Sequence, residues 1–360
     1  METMEEYKVV RIINEEPEFL EVREANVSAN FFILCEEGNK LFGKDVFDLQ
    51  ICGMSLVNWV VRVCGKQPRI LKIQKGTDAL DYVRPYVDLT AEYSVVFYAD
   101  TPLLNKSHIN DLLAFIDRKR MNVCRFKRGL AFRNDYIKET DEIYSIDEYD
   151  FASNDFLVVD SSESFEFVKG VLTKKLFDYH KNKGVFFENE SSTTIDANTE
   201  IGERTKIFGG ASVVGGSKIG AGSEISRNAV VFGSCVGNAS RVGANSVVIK
   251  SIVKDNTIVN ELVNIKNSVV GNDIKVGACS TVISSSVRDG ALIENNVQVD
   301  NSKICENATI HAHSKILGLN QKTIIGGGAE IGANSEVVDS VIAPESEVEN
   351  LKKIIGRVDR

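Results

Sequence analysis

A branched aliphatic residue returns every six positions through the second half of the chain: Ile195, Ile201, Ile207, Val213, Ile219 and Ile225. The beat continues with small phase slips as Val236, Val242 and Val248, then Val263 and Val269, later Ile304, Ile310 and Ile316, and last Ile325, Ile331 and Val337. Glycine or another small residue usually follows it, as in Ile201-Gly202, Ile219-Gly220, Val242-Gly243 and Ile331-Gly332. Short β-segments that turn a corner every six residues bury one aliphatic side chain each. Three such hexads close a triangular coil, and stacked coils share one core. Ordinary parallel sheets do not hold this beat. It predicts a parallel β-helix over residues 186–348, of about eight coils, followed by a charged tail over residues 349–360.

The first half has a different texture. Phe31–Cys35, Ile70–Ile73, Ser94–Tyr98 and Leu157–Val159 are short apolar runs that predict strands. Ser55–Cys64, Thr77–Tyr82 and Ser107–Lys119 carry helical spacing. Strands separated by helices imply a parallel, doubly wound sheet, whose ligands sit beyond the C-terminal ends of the strands. A further helix is predicted over Ser161–Lys183, with Phe165, Val168, Val171, Leu172, Leu176 and Tyr179 as its apolar positions and Gly184 as its stop. The domain order is then a polar N-terminal extension over residues 1–30, an α/β domain over 31–185 ending in that linker helix (161–183), and the β-helix. Within the extension, Val9-Val10 and Ile12-Ile13 are weak strand candidates.

Composition narrows the class. A net charge of −9 argues against a nucleic-acid groove or an anionic membrane surface as the main partner. The basic run Arg118–Arg128 is the exception, and its interleaved Met121, Val123, Cys124 and Phe126 suit a helix end and a strand. Seven cysteines without a CxxC pair point to a reducing, cytoplasmic compartment. The acidic start METMEEYK shows no signal peptide, and no apolar stretch reaches membrane-spanning length. Gly209-Gly210, Gly215-Gly216 and Gly326-Gly327-Gly328 fall at corners of the repeat, where glycine permits the turn. Ser284-Ser285-Ser286 lies within the repeats and has no paired base.

Four islands carry a family resemblance. Val171–Ile207 (VLTKKLFDYHKNKGVFFENESSTTIDANTEIGERTKI) is similar to a linker helix, a "GV" lead-in and first coils. Val95–Leu104 (VVFYADTPLL) is similar to a strand bearing a metal-binding "GD-P-L" motif, and Gln74-Lys75-Gly76-Thr77 to a uracil-contacting "Q-x-G-T" segment. Lys322–Pro344 (KTIIGGGAEIGANSEVVDSVIAP) is the fourth and weaker one. In this order they resemble the bifunctional bacterial UDP-N-acetylglucosamine pyrophosphorylase/glucosamine-1-phosphate N-acetyltransferase family. The resemblance implies α/β plus all-β architecture: a shortened doubly wound nucleotidyltransferase-like domain followed by a left-handed β-helix of hexapeptide repeats, associating as a homotrimer.

The resemblance also implies chemistry. Nucleotidyl transfer to a sugar 1-phosphate gathers several negative charges at one phosphorus, so the site needs Mg²⁺ on hard oxygen ligands. Asp100 falls at the family's first ligand position and Asp160 near the second; Gln74, Gly76 and Thr77 fall on the nucleotide side. Each has a plainer reading. Asp160 with Glu163 has capping-box form, Asp100-Thr101-Pro102 is an ordinary turn, and Thr77 after Gly76 suits the N-cap of a helix beginning at Asp78. His313 lies in register with the family's acetyl-transfer base, which would work with acetyl-CoA between solenoid subunits; it is equally a solvent-facing corner residue. His311 and His313 are expected to share one strand face, although two histidines alone are weak evidence for a metal.

The departures from the family are pronounced. Where its triphosphate-binding glycine loop belongs, this chain reads Leu34-Cys35-Glu36-Glu37-Gly38-Asn39-Lys40-Leu41. Two glutamates there repel a triphosphate, and Lys40 and Lys44 are partial substitutes at best. The sugar-holding arm between Asp100 and Asp160 is short, no "GRI-R" motif occurs, and Ile316 replaces the acetyl-transfer tyrosine. Loss of both loop and arm would cost about a thousandfold or more in rate. Three functions remain open: a uridylyltransferase of amino-sugar metabolism that still binds UTP or a UDP-sugar; a retired relative serving as a regulatory or scaffold subunit; and a hexapeptide acyltransferase.

Overall fold

The computed structural model describes residues 28–65, 68–140, 146–151 and 156–356. The strand candidates Val9-Val10 and Ile12-Ile13 lie outside them. Two compact units, Met1–Thr173 and Lys174–Arg360, divide the chain inside the linker helix.

The first unit is built on β1 (Ala29–Glu37), β2 (Arg69–Gln74), β3 (Tyr93–Tyr98), β4 (Val123–Phe126), β5 (Gly129–Arg133) and β6 (Asp147–Tyr149). One mixed sheet orders them β6-β4-β5-β3-β1-β2. β1 runs parallel to both β2 and β3, whereas β5 is antiparallel to β3 and β4. Helix α1 (Leu56–Val63) joins β1 to β2, α2 (Ala79–Val83) joins β2 to β3, and α3 (Lys106–Lys119) joins β3 to β4; α4 (Asn134–Glu139) follows β5. β1 starts at Ala29, two residues before the expected start at Phe31.

A strand flanked on both faces reads as a continuous apolar run, and β1 does so. Phe32 and Leu34 point to a core with Val96, Leu80, Leu130 and Ile137; Ile33 and Cys35 point to the opposite core with Phe97, Leu112 and Ile116. Leu157–Val159, expected as a strand, forms none. Val159 makes a single ladder-like bond, its N–H donating to the Asp100 carbonyl at 2.8 Å. Its side chain instead packs with Phe165, Val168 and Leu172 of α5 (Ser162–Asn182).

The second unit is the three-sided parallel solenoid that the repeat predicts. Two of its sheets hold ten strands and the third holds nine, so there are about ten coils where eight were expected. Face A runs from Phe186–Phe187 to Glu347–Val348, face B from Thr194–Ile195 to Lys353–Ile355, and face C from Glu200–Ile201 to Val341–Ile342. The expected tail over 349–360 therefore begins as solenoid: Lys353–Ile355 pairs with Glu336–Val338.

The phase slips have one origin. From Val231 onward the corner between faces B and C is shortened by one residue, giving Val231 to Val236, Val248 to Val253, and Ile265 to Val270 as successive inward pairs. Ile265 and Val270, not Val263 and Val269, are thus the inward strand residues; Val263 is buried at a corner and Val269 is half exposed. Each shortened corner places one residue at positive φ, such as Lys250, Asn267 and Ser284, and then a buried serine. These serines form a ladder: the N–H groups of Ser251, Ser268, Ser285 and Ser302 donate to the Oγ atoms of Ser234, Ser251, Ser268 and Ser285 at 3.0–3.1 Å. Ser285 of the serine triplet belongs to this ladder.

Candidate functional site

The tip of the β4–β5 hairpin is a two-residue loop, Lys127-Arg128, because Phe126 pairs with Gly129. Glycine is needed at its end: a Cβ on Gly129 would stand 2.3 Å from both the Phe126 ring and the Val96 carbonyl oxygen. This close approach sets Arg128 against the residue that follows β3. Arg128 Nε donates to Asp100 at 3.2 and 3.0 Å, and Nη2 donates to Asp100 Oδ2 at 2.6 Å and to Glu36 Oε2 at 2.9 Å. Its guanidinium lies over Tyr98, 4.0 Å from the ring centre.

Asp100 is only 4% exposed. Burial pushes its carboxyl up, Arg128 opposes that rise and Glu36 reinforces it. Burial pulls Arg128 down, but Asp100 and then Glu36 outweigh it and hold the guanidinium firmly protonated. The arrangement is an ion pair with two carboxylates on one cation.

Beside this group lies a cleft of about 430 Å³, lined by Gly76, Thr77 and Asp78, by Tyr98 and Glu36, and by Arg125, Lys127 and Arg128. Gly76 sits at φ +86°, and Thr77 N–H closes the turn onto the Gln74 carbonyl at 3.1 Å. Asp78, not Thr77, caps α2, accepting from the N–H groups of Leu80 and Asp81 at 2.9 and 3.1 Å. Thr77 is left facing the cleft.

The other expected site residues are elsewhere. Gln74 is not on the cleft wall; its amide donates to Glu37 at 2.6 Å. Glu37 also pairs with Lys72, so only Glu36 of the two glutamates meets the cleft. Lys40 and Lys44 sit on a short hairpin and do not line it. Asp160 is exposed and accepts from Ser164 Oγ at 3.2 Å. The cap of α5 is Ser161, whose Oγ accepts from Ser164 N–H at 3.2 Å, so the Asp160–Glu163 capping box is displaced by one residue. Among the described residues no three His, Cys, Asp or Glu side chains are grouped to hold a metal ion. With both Asp100 oxygens engaged by Arg128 and Asp160 turned to Ser164, these residues do not fit the Mg²⁺ site the family would have.

His313 occupies a solenoid corner at φ +63°, in a column with Asn296 and Asn334. Its N–H donates to the Asn295 carbonyl at 3.1 Å, and Asn334 N–H donates to the Ala312 carbonyl at 2.9 Å. Histidine, like asparagine, tolerates this backbone region, which accounts for it structurally. His311 and His313 do not share a strand: His311 follows Thr309–Ile310 and lies 3.3 Å from Glu294, while His313 is in the turn.

Sequence reasoning missed Arg128 as a site residue. The basic run does form a helix end and a strand, but Arg125, Lys127 and Arg128 also furnish the cleft. The signal was Lys127-Arg128-Gly129, a hairpin tip that sets two cations beside a glycine.

No protein-family model matches the chain, and no curated protein matches its sequence. Solved structures overlap it in part. A CMP-2-keto-3-deoxy-manno-octonic acid synthetase complexed with CTP is 12% identical, covers 41% of this chain and 100% of its own, and has a TM-score of 0.33. The UDP-N-acetylglucosamine acyltransferase of Arabidopsis is 17% identical, covers 46% of this chain and 66% of its own, and has a TM-score of 0.26. The acyltransferase of the same name from Campylobacter jejuni is 20% identical, over 46% and 65%, with a TM-score of 0.20. At these values the fold rests on the strand pairing described above.

Proposed function

We propose that the first unit binds a uridine nucleotide or sugar phosphate in the Gly76–Arg128 cleft and no longer transfers the nucleotidyl group. The observation that carries this reading is the Arg128 fork: the carboxylate a transferase would give to its metal is spent on an internal cation. The cleft keeps the nucleotide-side turn, Gly76-Thr77, and three basic side chains. Gly76 leaves backbone open to a base or ribose, Arg125 and Lys127 supply donors to phosphate oxygens, and Tyr98 offers an aromatic wall.

The solenoid fits a scaffold that presents this unit in several copies. A homotrimer is part of this proposal, supported by apolar side chains on face B, where Val214, Phe232, Ile249, Ile283 and Leu317 are outward-facing and not fully buried. Acetyl transfer from acetyl-CoA is not proposed, because His313 is a corner residue and Ile316 stands where the resemblance would place a tyrosine.

Thermal-shift titration with UTP, UDP-N-acetylglucosamine and acetyl-CoA tests the reading, together with a pyrophosphate-release assay. A shift with a uridine ligand and no pyrophosphate release is expected. Turnover with UTP and a sugar 1-phosphate would overturn it, and so would a shift with acetyl-CoA alone. Light scattering of the purified chain tests the trimer.

A further inference from the structure

We infer that Arg128 stands in for a divalent cation, so that this cleft takes a monophosphate ester, anchored by Lys127, without metal. The inference rests on the reading of the cleft as a nucleotide or sugar-phosphate site and narrows it to a charge class.

Two carboxylates from separate strands converge on one atom. Glu36 is at the end of β1, Asp100 lies just past β3, and both bond to Arg128 Nη2, at 2.9 and 2.6 Å. That convergence is what two hard oxygen ligands make around Mg²⁺. Here a guanidinium fills the place, delivered from the opposite strand direction by the β4–β5 hairpin and held face-on to Tyr98. Unlike a metal ion, it cannot leave with the ligand, and it leaves no coordination position for a triphosphate.

The remaining charges on the wall set what the cleft accepts. Arg125 lies 3.8 Å from Asp78 and is balanced by it. Arg128 is balanced by Glu36 and Asp100. Lys127 is exposed, lines the cleft and makes no ion pair among the described residues. Three cations stand against three carboxylates, so the wall carries no surplus positive charge to meet the four negative charges of a free triphosphate. The smaller charge of a phosphate monoester is met by Lys127, the cation left without an ion-pair partner among the described residues. The fixed guanidinium edge beside it supplies further donors to the same phosphate. The cleft, about 430 Å³ and open to solvent on one side, has room for a nucleoside or sugar monophosphate.

The test uses the full chain and isothermal titration with UMP, glucose 1-phosphate and UTP, each in EDTA and in excess Mg²⁺. Monophosphate binding is expected to be equal in the two buffers, and UTP with Mg²⁺ is expected to be no tighter than UMP. Lys127→Ala, at an exposed position, should weaken the monophosphate about tenfold, the loss of one charged hydrogen bond. A second measurement needs no nucleotide. Arg128→Met keeps an apolar stem over Tyr98 and frees both carboxylates, so it should acquire Mn²⁺ binding visible by electron paramagnetic resonance. Adding Asp100→Asn should remove that binding. Uridine-nucleotide binding that requires Mg²⁺ and disappears in Asp100→Asn would overturn this inference and leave the nucleotide reading standing. Failure of every phosphate ligand to bind would overturn both.

Discussion

Arg128 Nη2 lies 2.6 Å from Asp100 Oδ2, although Asp100 directly follows a parallel strand and Arg128 sits at the tip of an antiparallel hairpin. The pair ties the hairpin to the C-terminal rim of the parallel sheet, where ligands of such sheets bind. It therefore fixes both the wall of the cleft and the electrostatics behind it.

Removing one partner of this group should be costly. The Asp100 and Arg128 side chains are 6% and 24% exposed, so Arg128→Ala would strand the buried Asp100 carboxylate and the partly buried Glu36 carboxylate beside it. A loss of about 3–5 kcal/mol is expected in urea unfolding. Adding Asp100→Asn and Glu36→Gln should restore more than half of it. A single-variant loss below about 1 kcal/mol would show that the fork is not a structural pair.

The architecture was largely legible, and the site was not. Six-residue spacing survives in any one stretch of the solenoid, so Ile195 to Ile225 and Ile304 to Ile316 locate their strands correctly. It loses phase after Val231 because the shortened B–C corner removes one residue per coil, and aliphatic side chains at corner and outward positions, such as Val263 and Val269, then imitate the beat. Asp100 and Gly76 were visible because they sit next to their strands. Arg128 was not, since its role depends on a hairpin whose pairing partner, β3, is reached across the sheet. Leu157–Val159 failed as a strand because a short apolar run serves a helix-packing cluster equally well.

His313 should tolerate substitutions that keep its backbone conformation. At φ +63°, His313→Asn or His313→Gly is expected to change unfolding free energy by less than about 0.5 kcal/mol, whereas His313→Val should cost about 1–2 kcal/mol. Equal losses in all three variants would mean that the imidazole itself has a role at this corner.

The serine ladder should be sensitive to a single missing hydroxyl. Ser251 Oγ donates to the Ile249 carbonyl at 2.7 Å and accepts from Ser268 N–H at 3.1 Å, both inside the stack. Ser251→Ala leaves that N–H without a hydroxyl acceptor, and a loss of about 1–3 kcal/mol is expected by denaturant titration. Ser286→Ala, at an outward position on face C two coils further on, is the control and should be silent.

Acid should release the loop between faces B and C near the end of the solenoid. This corner is longer than the others, nine residues from Ile316 to Ile325, and Asp339 in the next coil holds it. Its carboxylate accepts from the N–H groups of Leu319, Asn320 and Gln321 at 2.7, 2.9 and 3.2 Å, and from the Asn320 amide at 2.8 Å. Burial pushes the Asp339 carboxyl up, but these donors outweigh it and hold the group below the usual aspartate value. A depressed carboxyl stabilises the folded form at pH above the unfolded value, and that contribution disappears as pH falls through the folded one. Hydrogen-exchange protection of the Leu319–Gln321 amides, relative to their intrinsic rate at each pH, should therefore hold from neutral pH down to about 4 and fall below it. Asp339→Asn, which keeps one acceptor oxygen and removes the charge, should show lower protection at neutral pH and no further loss on acidification. Unchanged protection of these three amides in that variant would mean that the loop is held by its backbone alone.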